Sequence, residues 1–240
     1  MKFAILADIH ANLEALEVAL EDSKKQGVTN YACLGDVVGY CANPKECLDL
    51  IRGMGMPCVR GNHDEYCSQD EQLEGFNPHA AEAVQWTRER LTKDDRKWLQ
   101  ELKHIRLVTS FSIVHATLDA PQRWGYVFDK LAAAASFTYQ NTNVCFFGHT
   151  HVPIAFIRDS LVRGGTYSRF RIEPGRKYFI NVGSVGQPRD GVPKATYAIY
   201  DLGEGLIELR RLDYDIRKAQ EKILAAGLPK RLADRLAEGR

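Results

Sequence analysis

The sequence predicts an α/β (α+β) fold, and three observations carry that prediction. Apolar runs typical of buried strands alternate with amphipathic stretches from Lys2 to Val59. Each of those runs ends in Asp, His or Asn. Beyond Pro153 the texture changes to short alternating segments, which predicts a second and more antiparallel sheet. A chain of 240 residues is long enough to bury one substantial core, so residues 1–240 are read as a single domain.

Taken in order, "KFAIL" is a buried strand running into the polar cluster "ADIH". Leu13, Leu16 and Leu20 then share one helical face, and Gly27 supplies a stop. "NYACLGD" is the second strand. The next helix starts with Asn43 as cap, Pro44 in the first turn and Glu46 three residues past the cap. "PCVRGNHDE" reads as a short third strand entering a polar loop. A helical insert is expected over about 65–102, with Trp86 and Trp98 packing it. "IRLVTSFSIVHA" fits two adjoining strands or a hairpin, "FDKLAAAASFTYQN" a helix, and "NVCFFGHTH" another strand. The alternating segments are "PIAFIRD", "LVRGGTY", "KYFINVGS", "ATYAIYDL" and "LIELRRLDY". Two amphipathic helices over 216–226 and 230–238 close the chain, as packing helices or as a surface for a homo-oligomer.

Composition narrows the function. A net charge of +1 and the absence of a Lys/Arg block argue against binding long nucleic acid. No apolar run approaches the ~20 residues of a membrane helix, so no membrane association is expected. The first strand follows Met1 and Lys2 directly, which leads us to expect no signal peptide. The six cysteines are scattered with no C-x-x-C pair, and free thiols in a reducing cytoplasm are expected.

Five segments fall at the C-terminal ends of expected strands: Asp8-Ile9-His10, Gly35-Asp36, Gly61-Asn62-His63-Asp64, Val114-His115 and Gly148-His149-Thr150-His151. They contain five of the seven histidines, a concentration that core packing does not explain. A lone buried His is usually a hydrogen-bonded core residue. Five of them with Asp and Asn at one sheet edge point instead to a metal site, because neutral imidazoles and carboxylates share a face only when a cation sits between them.

This ordered set of D-x-H, G-D, G-N-H-D, H and G-H-x-H resembles the calcineurin-like metallophosphoesterase superfamily. The stretches "DIHANLEAL" and "NVGSVGQPRD" resemble its small bacterial and archaeal phosphodiesterase branch. The resemblance runs from Ala4 to about Leu212. It implies a four-layer αββα sandwich, with two mixed β-sheets packed face to face and helices on both outer sides. It also implies two divalent metal ions bridged by Asp36. One ion also takes Asp8, His10 and His151; the other takes Asn62, His115 and His149. Oxygen and nitrogen donors suit Mn²⁺, Fe or Zn²⁺, and the family favours Mn²⁺. Two divalent cations against two carboxylates leave a positive centre, which favours an anionic phosphate.

In such a centre a metal-bridging water attacks phosphorus while the departing oxygen needs a proton. His63, beside a ligand, is the candidate general acid. Asp64 either orients that imidazole or caps the loop. Three further residues are candidates for substrate binding. Asn12 starts a helix whose N–H groups can meet an anion, although its ordinary role is an N-cap. Arg189, in "GQPRDG", either forks onto a substrate phosphate or is a surface arginine. Tyr40 is placed to border the pocket. Trp124 and Tyr126 either stack on a base or pack a loop, and Cys41 is near enough to the site to feel oxidation. The sequence departs from the family at Ala116, where many members have Gly, which bears on substrate shape.

The expected function is therefore binuclear metal-dependent hydrolysis of a small phosphodiester or phosphoanhydride, of nucleotide or dinucleoside polyphosphate type. The alternatives are a broad-specificity phosphomonoesterase and a non-catalytic metal-binding scaffold. Val-Val-Gly-Tyr after Asp36 replaces the arginine of protein phosphatases, which disfavours a phosphoprotein substrate.

Overall fold

The structure, a computed structural model, describes residues 1–71, 73 and 77–240. Gln72 and residues 74–76, part of the expected helical insert, lie outside the described residues. In chain order the elements are β1 (Lys2–Leu6), α1 (Leu13–Lys25), β2 (Asn30–Cys33), α2 (Pro44–Gly53), α3 (Asn62–Ser68), α4 (Pro78–Arg88) and α5 (Lys93–Glu101). Next come β3 (Ile105–Val108), β4 (Phe111–Val114), α6 (Lys130–Tyr139), β5 (Val144–Phe147), β6 (Ile154–Arg158), β7 (Val162–Gly165) and β8 (Arg169–Arg171). The last are β9 (Lys177–Asn181), β10 (Ala195–Asp201), β11 (Leu206–Leu212), α7 (Ile216–Ala225) and α8 (Lys230–Glu238).

Two mixed sheets form, with orders β2-β1-β10-β11-β8 and β3-β4-β5-β9-β6-β7. They pack face to face because strand side chains alternate between faces. Phe3 and Ile5 of β1 meet Phe111, Ile113 and Phe146 of the other sheet, while Ala4 and Leu6 point outward to α1 and α2. Phe111 contacts Phe3, Phe146 and Tyr200 edge-on, with ring centroids 5.1–5.6 Å apart. Each fully buried aliphatic or Phe side chain contributes roughly 1.5–3 kcal/mol of transfer free energy. Both faces of β1 and β5 are covered, so their sequences read as continuous apolar runs. α6 covers the outer face of the second sheet through Ala133 and Phe137.

Three expectations are corrected. The segments after Pro153 do not build a sheet of their own: β6, β7 and β9 join β3–β5, and β8, β10 and β11 join β1 and β2. Backbone pairing, which the alternating pattern does not encode, distributes them. The strand expected at "PCVRGNHDE" is reduced to single bridges, Cys33 with Cys58 and Val59 with Lys103. Asn43 does not cap the backbone of α2, because its amide turns to Glu46 Oε1 at 2.8 Å. The short strand β8 was not marked in the sequence, since "RFR" is mostly exposed and lacks an apolar run.

The closing helices pack on the loops that follow β1 and β2. Ala219, Ile223, Leu232 and Leu236 share a buried cluster with Ala11, Tyr40, Cys41, Ala80 and Ala83. The Trp86 indole N–H donates to the Ala226 carbonyl at 2.9 Å, tying α4 to the end of α7. α8 is thereby held beside the loops that carry the candidate site. Among the described residues no helix is long and apolar enough to cross a membrane.

Candidate metal centre

β1 and β2 run parallel, as do β4, β5 and β9, so their C-terminal ends carry Asp8, Asp36, His115 and the 148–151 loop to a common edge. The loops are stitched together by their backbones. The N–H of Asp8 donates to Gly35 O (3.1 Å), that of His10 to Asp36 O (2.9 Å), and that of Gly148 to His115 O (2.9 Å). Asp8, His10, Asp36, His149 and His151 all take left-handed backbone, with φ between 50° and 67°. Non-glycine residues there cost of order 1–3 kcal/mol each, and such strain concentrates at functional sites. Only a densely bonded surrounding holds five of them in one place.

Two clusters result: Asp8, His10, Asp36 and His151, and Asp36, His115 and His149, with the donor atoms of each within 4.8 Å of one another. Asp36 Oδ2 lies 3.5 Å from His10 Nε2 and 3.4 Å from His115 Nε2, so one oxygen faces both clusters. His151 Nε2 is 3.3 Å from Asp8 Oδ1 and 3.2 Å from His10 Nε2. His115 Nε2 is 3.1 Å from Asn62 Oδ1 and 3.2 Å from His149 Nδ1.

The far nitrogen of each imidazole faces a backbone carbonyl. His10 Nδ1 meets Val38 O (3.2 Å), His115 Nδ1 meets Leu34 O (2.7 Å), His149 Nε2 meets Trp124 O (2.8 Å) and His151 Nδ1 meets Gln187 O (2.5 Å). A carbonyl only accepts, so each ring proton resides on that far nitrogen and the inward nitrogen presents a lone pair. Lone pairs 3.2 Å apart, among carboxylate oxygens and out of water, repel unless a cation lies between them. The donor set therefore fits a divalent ion in each cluster, and carbonyl-fixed imidazoles are the usual support of metal ligands.

Proton affinities agree. Burial holds His10 and His151 well below the ordinary imidazole range and His149 at about 3, leaving each neutral and ready to coordinate. Burial also lowers His115, but the Asp36 carboxylate overrides it and raises this residue to about 10. Without metal, His115 is therefore the exception to the lone-pair arrangement: its inward Nε2 carries a proton that a bound cation would displace. Burial pushes Asp8 up to about 7. Chelation should consequently destabilise the protein. Loss of a ligand bound at ~1,000 times its Kd removes about 4 kcal/mol per site, which for this size lowers Tm by roughly 10 °C for each site emptied. Differential scanning calorimetry with and without chelator measures it; an unchanged Tm contradicts metal occupancy.

His63 sits beside the first cluster, its ring centroid 4.8 Å from that of His10 and 4.2 Å from that of Tyr40. Its backbone N–H donates to Asp36 Oδ1 at 2.8 Å, and its buried Nδ1 has no partner among the described residues. Asp64 does not orient that ring, which corrects the first of its two expected roles. Its carboxylate accepts from the backbone N–H groups of Asp36 (2.8 Å), Val37 (2.8 Å), Val38 (3.3 Å) and Gly61 (3.1 Å). It clamps the Asp36 loop. Asp64→Ala strands four amides, each worth about 1–3 kcal/mol when buried and unpaired, so urea unfolding should show a loss above about 3 kcal/mol. A loss below about 1 kcal/mol contradicts the clamp.

Asn12 is likewise structural. It caps α1 by accepting from Ala15 N–H (3.2 Å), its ordinary role, and its amide donates to Gly186 O (2.8 Å) and to the Tyr214 hydroxyl (3.4 Å). Tyr40 and Arg189 do border a cavity beside the clusters. Ala116 is fully buried with ordinary backbone, so no glycine is required there. The Cys41 thiol is buried and pushed up to about 12, which leaves it unreactive. All six cysteines are free.

Several contributors escaped the sequence. Gly39 (φ +92°) is one, since a Cβ there would lie 2.5 Å from His63 Nδ1. Asn181 is another: its amide donates to Gly148 O (2.6 Å) and Thr150 Oγ1 (2.9 Å), anchoring the His149–His151 loop. Its place just before "VGSVGQPRD" is the only signal it left. The carbonyls that orient the four imidazoles leave none, because every residue has one.

Face-to-face mixed sheets with paired Asp/His clusters at one edge define a metallophosphoesterase fold. The chain belongs to the calcineurin-like phosphoesterase superfamily, whose domain matches residues 1–205. It is 40% identical to the uncharacterized protein MJ0912 of Methanocaldococcus jannaschii, over 99% of this chain and 98% of that one. Among solved structures, a metallophosphoesterase from Sphaerobacter thermophilus superposes with a TM-score of 0.88 at 35% identity, covering 100% of this chain and 99% of that chain. The hypothetical protein PH1004 from Pyrococcus horikoshii shares the fold, with a TM-score of 0.80 at 20% identity and coverage of 100% and 98%. Superfamily members typically bind divalent metals, and the two clusters offer residues that can hold them.

Proposed function

We propose that the protein is a binuclear metal-dependent phosphoesterase acting on a small phosphodiester or phosphoanhydride of nucleotide type. The observation that supports this best is the single Asp36 oxygen facing both clusters. Asp8, His10, Asp36 and His151 would hold one ion, and Asp36, Asn62, His115 and His149 the other, with Mn²⁺ favoured over Fe or Zn²⁺. When bound, such an ion pair supplies Lewis acidity to phosphoryl oxygens and eases deprotonation of water at neutral pH. The six buried free thiols suit a reducing compartment such as the cytoplasm.

The chain's own groups do the rest. Asp36 and the oriented imidazoles hold the donor geometry without reorganisation. His63 is the general acid, and its environment sets a condition on that role. Burial lowers it to about 4, so it is neutral in the free protein near pH 7. Anionic phosphoryl oxygens arriving beside the ring raise its proton affinity, so the acid forms as substrate binds. Arg189 meets the substrate's phosphate and Tyr40 walls the site.

Metal analysis of the purified chain, followed by incubation with nucleotides, dinucleoside polyphosphates and nitrophenyl mono- and diesters under Mn²⁺, tests the reading. Stoichiometric metal with turnover of diesters or anhydrides is expected. A folded protein that takes up no divalent ion, or hydrolyses none of these, overturns it.

A further inference from the structure

Beside the metal clusters lies a cavity of about 510 Å³ whose lining includes Tyr40, His79, Tyr126, Arg189, Arg231 and Arg235. Tyr40 touches His10 (ring centroids 4.7 Å apart) and His63, and Tyr126 lies 4.4 Å from the His149 ring. One wall of the cavity is therefore the rim of the candidate metal centre. Arg231, Leu232 and Arg235 of the lining come from α8.

The cavity is cationic. The guanidinium carbons of Arg189 and Arg235 each lie 5.8 Å from the Tyr40 ring centroid. Neither arginine has an Asp or Glu side chain within ion-pair distance among the described residues, whereas Arg231 is paired with Glu238 at 3.1 Å. Arg189 Nε is buried without a hydrogen-bond partner, its Nη2 donates to the neutral Gln187 Oε1 at 2.8 Å, and the Tyr40 hydroxyl lies beside the guanidinium. The Nε of Arg235 is spent on the Arg240 carbonyl, but its two Nη atoms have no acceptor among the described residues. Burial and the Arg189 charge lower Arg235 to about 10, which still leaves it cationic near pH 7. Two like charges lining one cavity repel each other unless an anion joins them, and planar guanidinium forks match phosphate oxygens.

We propose that this cavity is a second phosphate subsite, in which Arg189 and Arg235 grip the phosphoryl group next to the one attacked, selecting phosphoanhydrides over isolated esters. The proposal rests on the phosphoesterase reading above and names its substrate class. In the reaction, a water gives up one proton to solvent as its oxygen forms the new bond to phosphorus, and the bridging P–O bond breaks. The leaving phosphate keeps the electron pair, held by the two guanidiniums. Tyr126, 54% exposed and stacked on Phe128 with centroids 5.6 Å apart, leaves the cavity mouth open to the rest of a substrate.

The test uses two measurements on wild type, Arg235→Gln and the conservative Arg235→Lys, each checked for folding by its melting curve. Calorimetric titration of chelator-treated protein with inorganic pyrophosphate and with orthophosphate reads the subsite without metal. Arg235→Gln should weaken pyrophosphate about tenfold, with Arg235→Lys in between, and should weaken orthophosphate too, since one phosphoryl group fills the subsite. Under Mn²⁺, the kcat/KM ratio of a nucleoside diphosphate to nitrophenyl phosphate should fall about tenfold in Arg235→Gln, mainly through KM. If either pyrophosphate affinity or that ratio is unchanged in the Gln variant, the subsite is overturned. Arg235-dependent pyrophosphate binding in a protein that hydrolyses no phosphate compound would instead overturn the phosphoesterase reading and leave the anion subsite standing.

Discussion

His63→Ala is expected to keep both cations bound and to lose about 10²–10⁴-fold in turnover, the usual contribution of a positioned general acid. The ring is outside both donor clusters, so removing it takes away no metal-facing atom. What ties this residue to the clusters is its backbone N–H, which donates to Asp36 Oδ1 and survives in alanine. The loss should be largest for an alkoxide leaving group, which must be protonated, and smallest for nitrophenolate, which departs unaided. The pH profile carries the same signature. Burial lowers the His63 imidazole to about 4 in the free protein, and bound phosphate raises it. Wild-type kcat should therefore decline as pH rises through that raised value, and the decline should vanish in His63→Ala. Wild-type kinetics in the variant would remove His63 from the mechanism.

Asp36→Asn is expected to disrupt both metal sites together and abolish turnover, because its Oδ2 faces His10 and His115 alike. Asparagine is the informative replacement. Position 36 has φ of 53°, which Asn tolerates better than Ala, so the loop survives while the charge is lost. Asn62→Ala, by contrast, removes an oxygen only from the His115 side and should spare the other site. Metal content by atomic spectroscopy, beside kinetics, separates the two variants. Full metal retention in Asp36→Asn would show that the shared oxygen is not a bridge.

The candidate ligands were legible because each is a polar residue ending an apolar run, and the helices because their period and stops are local. Asp64 was harder, since whether a carboxylate faces an imidazole or four amides depends on how the 36–38 loop folds over it. Arg235 was invisible as a site residue. In sequence it is one charge on an amphipathic helix, and only the packing of Leu232 and Leu236 against Tyr40 and Cys41 turns it toward the cavity.

By itself the sequence determined the strand and helix material, the family, and which donor atoms lie at strand ends. These are properties of periodicity and of residue type at a chain position. Tertiary structure alone decided how the later strands are shared between two sheets and which carbonyl fixes each imidazole. It also decided that α8 closes a cationic cavity beside the candidate metal centre. Those outcomes depend on distances between segments up to about two hundred residues apart, as in the approach of Arg235 to Tyr40, and no local pattern records them.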